Sequence, residues 1–411
     1  MFLKNTLVFL VSLTLIACVS ESENSESSSA SVNETFDFTG MIANYADEVI
    51  IPSYQNFSDE IKALNAPSGP ITTYCNSIGQ ANEALDLETA QIAWRSAMTT
   101  WQEAETILVG PALDNSGQLR NKIYSFFSNA PLSACAIDQA VVLAQDPQFD
   151  ITTRSNNQRG IDTLEYLLFN DDITHNCPAQ IVETQNWNAL SIQDRVNQRC
   201  DFAKIIVDDL EDSSENLVNA WAPIGNNFRS TFIDPKNIST SFESLSDALF
   251  YIELEAKDAK LGIPTGINNG CSELTCIESV ESSYSDSGLE NIKANLNGFK
   301  NALTGINGLG FDDIVAAKGF SSVTQEFLSN VTKAINLIDS MDDTLLEQVQ
   351  QIENSGSDTD CLNSQANPEG VQTVPVCSLH GYLKRISDSL RTEFITIVDV
   401  DLPTRAGGDN D

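Results

Sequence analysis

Residues 192–221 run without a break in an apolar pattern of helical period, and the run ends just before Pro223. A stretch that long with apolar side chains at i, i+3, i+4 and i+7 reads as an amphipathic helix. The same period recurs along the rest of the chain. Residues 36–65 carry Met41, Ile42, Tyr45, Val49, Ile50, Tyr54 and Phe57 near helical spacing, with Pro52 expected to kink or interrupt them. A helix over 81–109 carries Ala93, Trp94, Ala97, Trp101, Ala104 and Leu108 and stops at Gly110-Pro111. Shorter apolar segments lie at 123–127 and 137–143, and another helix opens at Gly160. After a polar stretch at 223–237, the pattern restarts at 241–261, 289–303, 311–314 with 320–341, 344–352 and 376–400. Strand-like alternation bounded by hairpin turns is not evident. The chain is therefore expected to be all-α. Two successive sets of about four helices predict two four-helix-bundle domains, 36–228 and 229–411, packed against each other.

The first residues stand outside that fold. Lys4 and the apolar run 7–16 make a leader too short to anchor in a bilayer by itself. Leu15-Ile16-Ala17-Cys18 follows the bacterial lipoprotein order. Cleavage after Ala17 (leader 1–17) would leave Cys18 to carry acyl chains, each buried methylene contributing roughly 0.8 kcal/mol of membrane affinity. Residues 18–35, rich in Ser and Glu, read as a flexible tether. The expected address is the cell envelope of a Gram-negative bacterium. There the protein would be an outer-membrane lipoprotein facing periplasm or surface, with the lipid bilayer its partner through acylated Cys18.

Acidic residues outnumber basic ones 58 to 22, giving a net charge of −36. That excess argues against nucleic acid or an anionic membrane surface as partner, and favours cations diffusely. Eight cysteines remain beside Cys18, an even count that suggests disulfides in an exported chain. Cys271 with Cys276 and Cys361 with Cys377 flank short loops, Cys177 and Cys200 bracket another, and Cys75 and Cys135 are left to pair by elimination. With two histidines and no CxxC, structural zinc is disfavoured.

The segment Arg159-Gly160-Ile161-Asp162-Thr163-Leu164-Glu165-Tyr166-Leu167-Leu168-Phe169 concentrates the chemistry. Asp162 and Glu165, three apart, share one helix face beside an apolar stripe of Ile161, Leu164 and Leu168. Such a pair faces solvent, meets a partner such as Arg159, or holds a cation. Glu105, four residues after Trp101, is a third candidate carboxylate. Trp94 and Trp101, seven apart, read as core. Tyr251, Glu253, Glu255, Lys257 and Asp258 lie on a helix whose face either meets the first domain or is solvated. His175 and His380 are weak candidates for ligands. No Gly-x-Ser-x-Gly elbow or phosphate loop is present, since the Gly305–Gly310 cluster lacks the lysine and preceding strand.

Several segments together resemble the imelysin family of exported bacterial proteins. Gly160-Ile161-Asp162-Thr163-Leu164-Glu165 is similar to its Gly-x-His-x-x-Glu motif. Ala93-Trp94 through Trp101-Gln102-Glu103-Ala104-Glu105 to Gly110-Pro111 resembles its Trp-containing helix, and Arg120, Tyr124 and Ser125 its next segment. Tyr284-Ser285 with Leu289 and Ile292, then Val400-Asp401-Leu402-Pro403 and Gly408-Asp409-Asn410-Asp411, resemble its second half and its end. The resemblance implies two all-helical domains with a site between them, export or lipid anchoring, and a link to iron acquisition. It also brings a metallopeptidase label, under which Glu165 would be catalytic. Asp162 stands where the family has His. That change moves the expectation from zinc proteolysis toward a hard cation such as ferric iron, calcium or manganese, held by Asp162, Glu165 and Glu105 with Arg159 orienting them. The expected function is metal binding in uptake or handling, beside envelope uptake components. The alternatives are an imelysin-type metallopeptidase and a non-catalytic structural or interaction lipoprotein.

Overall fold

The computed structural model of the chain describes residues 36–126, 132–175, 177–370, 373–403 and 406. The leader, Cys18, the tether and the 408–411 end lie outside the described residues. The described residues form helices joined by turns and loops, and none of them is in a strand. The expected all-α class holds. No described helix is long and apolar enough to cross a membrane.

Four helices make the first bundle: α1 (Ile51–Asn65), α2 (Glu83–Glu105), α3 (Gly160–Phe169) and α4 (Ile192–Trp221). α1 lies along α2 and α4, and α3 packs against the same two. Trp94, Ala97, Met98 and Trp101 make the buried stripe of α2. Trp101 meets Phe57 of α1 with ring centroids 5.0 Å apart. Trp94 donates its indole N–H to Ile161 O at 2.8 Å. Both tryptophans are core, and the polar edge of Trp94 is satisfied by the backbone of α3. Pro52 falls in the first turn of α1 and has no N–H to give to the helical turn before it. A wider-turned segment, Tyr45–Ile50, precedes it, so the chain stays helical from Phe38 instead of breaking there.

The second bundle is α5 (Ile252–Gly262), α6 (Gly288–Thr304), α7 (Ser321–Ile338) and α8 (Pro375–Ser389). α6 packs on α5 and α7, and α8 on the same pair. The helix expected over 241–261 is divided into Ile238–Leu249 and α5, which is wound in wider π-type turns. The bundles meet where α2 lies against α6. At Gly298 of α6 a Cβ would stand 2.5 Å from Glu103 O. Asn44 also ties the first helical segment to the loop after α6 by donating to Gly305 O (2.9 Å) and Leu309 O (3.1 Å). The described residues from 37 onward close into one compact unit.

Four disulfides form among the described residues. Cys271–Cys276 and Cys361–Cys377 pair as their short separations suggest. The other four cysteines pair differently from the expectation: Cys75 with Cys200 and Cys135 with Cys177. Packing overrides sequence proximity here. The helix Pro70–Ser77 lies beside α4 and sets the Cα atoms of Cys75 and Cys200 5.6 Å apart. Cys135 and Cys177 stand at 4.9 Å, also within disulfide reach.

Candidate functional site

α3 begins at Gly160 with a left-handed φ of +87°, and a Cβ there would meet Ile123 O at 2.7 Å. Only glycine makes this turn without strain. Asp162 and Glu165 then leave one face of α3, buried to 4% and 3% exposure, while Ile161 and Leu164 fill the core behind them. Ser125 donates its hydroxyl to Asp162 Oδ2, and the Thr163 N–H donates to Asp162 Oδ1 at 3.1 Å. Ser285, from the second bundle's side, donates twice to Glu165 Oε1, from its N–H (3.0 Å) and its hydroxyl (2.9 Å). Glu165 Oε2 has no donor among the described residues.

The turn that brings Ser285 is held from both sides. Ser282 and Asp286 adopt positive φ of 51° and 55°. Arg95 of α2 donates to Ser285 O at 2.6 Å and to the Ser287 hydroxyl. Non-glycine residues in that region persist only where surroundings over-determine them, and such strain gathers at functional sites.

Asp162, Glu165, Tyr124 and Tyr284 line a cavity of about 130 Å³. Burial pushes both carboxyls up to about 7, against the serine hydrogen bonds that favour the charged forms. The Asp162 charge adds to the rise at Glu165. Neither acid has an ion pair among the described residues. The site is therefore electron-rich, hydrogen-bonded on one side and open to the cavity on the other.

Arg159 is not brought to this pair. Its extended backbone before α3 turns the guanidinium to α4, where Nε donates to Asp209 Oδ2 at 2.8 Å and Nη2 to Oδ1. The expected orienting role passes to Ser125 and Ser285. Glu105 is separated too. At the end of α2 it accepts from the Tyr251 hydroxyl at 2.9 Å and faces a different small space, with Arg120. His175 sits in a loop with Nδ1 accepting from Cys177 N at 3.2 Å, His380 is buried in α8, and neither lines the cavity.

Between Glu105 and the motif pair lies a polar cluster that sequence reading misses. Lys260 of α5, fully buried, pairs with Glu281 at 2.9 Å. It also donates to Asn295 Oδ1 at 2.9 Å and to Gln102 Oε1 of α2. Gln102 donates to Glu281 at 3.1 Å, and the Tyr124 hydroxyl donates to the same oxygen at 2.5 Å. The cluster joins the two bundles through charge-assisted bonds. Its faint sequence signal is a lysine four residues after the buried Ala256 and next to Leu261, on the row that faces the core. Of the charged helix named above, Tyr251 does meet the first bundle, through Glu105.

The imelysin family model matches residues 50–374. An imelysin-like protein from Psychrobacter arcticum 273-4 shares the fold with a TM-score of 0.62 at 13% identity, over 88% of this chain and 96% of that one. A protein from Parabacteroides distasonis ATCC 8503, provisionally named iron-regulated protein A precursor, gives a TM-score of 0.56 at 17% identity, over 85% and 94%. No curated protein matches the chain.

Proposed function

The chain belongs to the imelysin family, and from that premise we propose that it is a binding protein of the cell envelope. It takes iron or another oxygen-seeking metal, as ion or complex, at the Asp162–Glu165 cavity. The observation that carries this reading is a pair of buried carboxylates with no cation partner among the described residues, lining a common cavity. Two such groups suit a hard cation, whereas zinc catalysis normally draws on nitrogen ligands and an open fourth position. Among the described residues no group of three His, Cys, Asp or Glu is placed to hold an ion. The chain therefore supplies part of a coordination sphere, and water or a chelator carried with the metal supplies the rest. The provisional name of the Parabacteroides protein, iron-regulated, points the same way. Acylation at Cys18 and delivery to envelope uptake components belong to the same proposal.

Calorimetric titration of the purified protein with ferrous iron, manganese, calcium and ferric citrate tests it. Saturable binding is expected in the wild type. An Asp162→Asn/Glu165→Gln variant should weaken it at least about tenfold, because each lost charged ligand removes of the order of 1.5–3 kcal/mol. Equal binding by both proteins would sink the reading.

A further inference from the structure

Glu105 and Arg120 mark a second place, where a buried polar atom, Glu105 Oε1, has no partner among the described residues. The backbone from Leu108 to Arg120 and the helix Ile238–Leu249 wall a surface cleft of about 530 Å³. Through Leu108, Leu113, Arg120 and Ala248 its lining is shared with a narrow space of about 20 Å³ above Glu105. That is room for about one water-sized group. Glu105 is 2% exposed. Its Oε2 accepts from Tyr251, and its Oε1 has no partner among the described residues. The Arg120 guanidinium is half-buried and, among the described residues, bonds only the side chain of its neighbour Asn121, at 3.0 and 2.9 Å. It has no ion pair among the described residues, in a chain where acids outnumber bases 58 to 22.

We propose that this cleft is a second ligand site, distinct from the Asp162–Glu165 cavity, that takes a small monocarboxylate: one oxygen on the Arg120 guanidinium, the other hydrogen-bonded to the Glu105 carboxyl. A guanidinium fork matches the plane of a carboxylate. Burial pushes the Glu105 carboxyl up to about 7, while the Lys260 and Arg120 charges pull it down. Near neutral pH it therefore spends much of its time as a donor. Glu281 raises it further, and Tyr251 donates to it. Glu255, on α5, lines the narrow space, and Asp114 and Asp247 line the outer cleft. These acids repel a polyanion, which selects a ligand whose remainder is neutral or cationic. The cleft wall itself is unusual, since Asn115, Ser116 and Gly117 follow one another in left-handed conformation.

Ligand-detected NMR with propionate and alanine as probes, on the full chain, tests the site without reference to any metal. Saturable binding is expected, about tenfold weaker at pH 8 than at pH 6 as Glu105 loses its proton. Arg120→Gln should weaken it about tenfold or more. Glu105→Gln, which keeps a donor at every pH, should keep binding and lose the pH dependence. Inorganic phosphate should not compete. The proposal is overturned by no saturable binding at about 50 mM probe, by wild-type affinity in Arg120→Gln, by competition from phosphate, or by an unchanged pH profile in Glu105→Gln.

Discussion

Asp162 and Glu165 show how burial sets a protonation state. Both carboxyls are raised to about 7, so the folded protein holds their protons more tightly than the unfolded chain does. The stability this supplies is fully present below the unfolded value of about 4 and is lost as pH rises to about 7. The metal-free protein should thus unfold more easily at pH 8 than at pH 5, by up to about 3 kcal/mol per group. Asp162→Asn should flatten part of that slope, and denaturant midpoints across the range would show it. A midpoint that does not fall with pH, or an unaltered slope in the variant, contradicts the assigned burial. A bound cation should restore the lost stability at high pH. The motif acids were legible in the sequence because Gly160, Asp162 and Glu165 are adjacent on one helix. Ser285 and Lys260 were harder to place, because their partners lie 120 and 21 residues away along the chain or across the seam. Arg159 misled for the opposite reason, as a neighbour in sequence whose extended backbone aims it at α4.

Helices were legible wherever one apolar stripe met one partner. α4 begins and ends where its period and Pro223 predict, because Ser191 caps its start and the chain turns extended at Ala222. The 241–261 segment was not resolved into two, since a wide π-type turn keeps apolar residues near helical spacing while shifting their direction. The junction of α2 and α6 depends on a missing side chain. A Cβ at position 298 would press on Glu103 O, a backbone atom that cannot swing aside. Gly298→Ala should therefore destabilise the protein by about 2 kcal/mol despite its better helix propensity. Chemical denaturation reads this directly, and an unchanged or raised midpoint would mean the helices have room to separate.

Across the whole molecule, composition located the class of protein and packing located the cross-links. An even cysteine count was readable, and so were the two pairs that close short loops. The Cys75–Cys200 pair depends on which helices lie side by side, which no spacing records. In a chain-entropy picture its removal matters more than that of Cys271–Cys276, because it closes 125 residues against 5. Cys75→Ser should cost about 5 kcal/mol and Cys271→Ser about 2 kcal/mol, and comparing their unfolding midpoints would expose an inverted order.

The same four bonds give the chain a particular covalent circuitry. Cys135–Cys177 is nested inside Cys75–Cys200, while Cys271–Cys276 and Cys361–Cys377 form two separate rings further on. Between residues 200 and 271 none of these rings bypasses the backbone. A protease that nicks the chain between 76 and 199 leaves its products joined through sulfur. A single cut in the 222–237 connector instead divides the covalent chain into two pieces, held together by packing and hydrogen bonds: the α2–α6 contact, the segment around Asn44, the Lys260 cluster, and the bonds of Ser285 to Glu165 and Arg95 and of Tyr251 to Glu105.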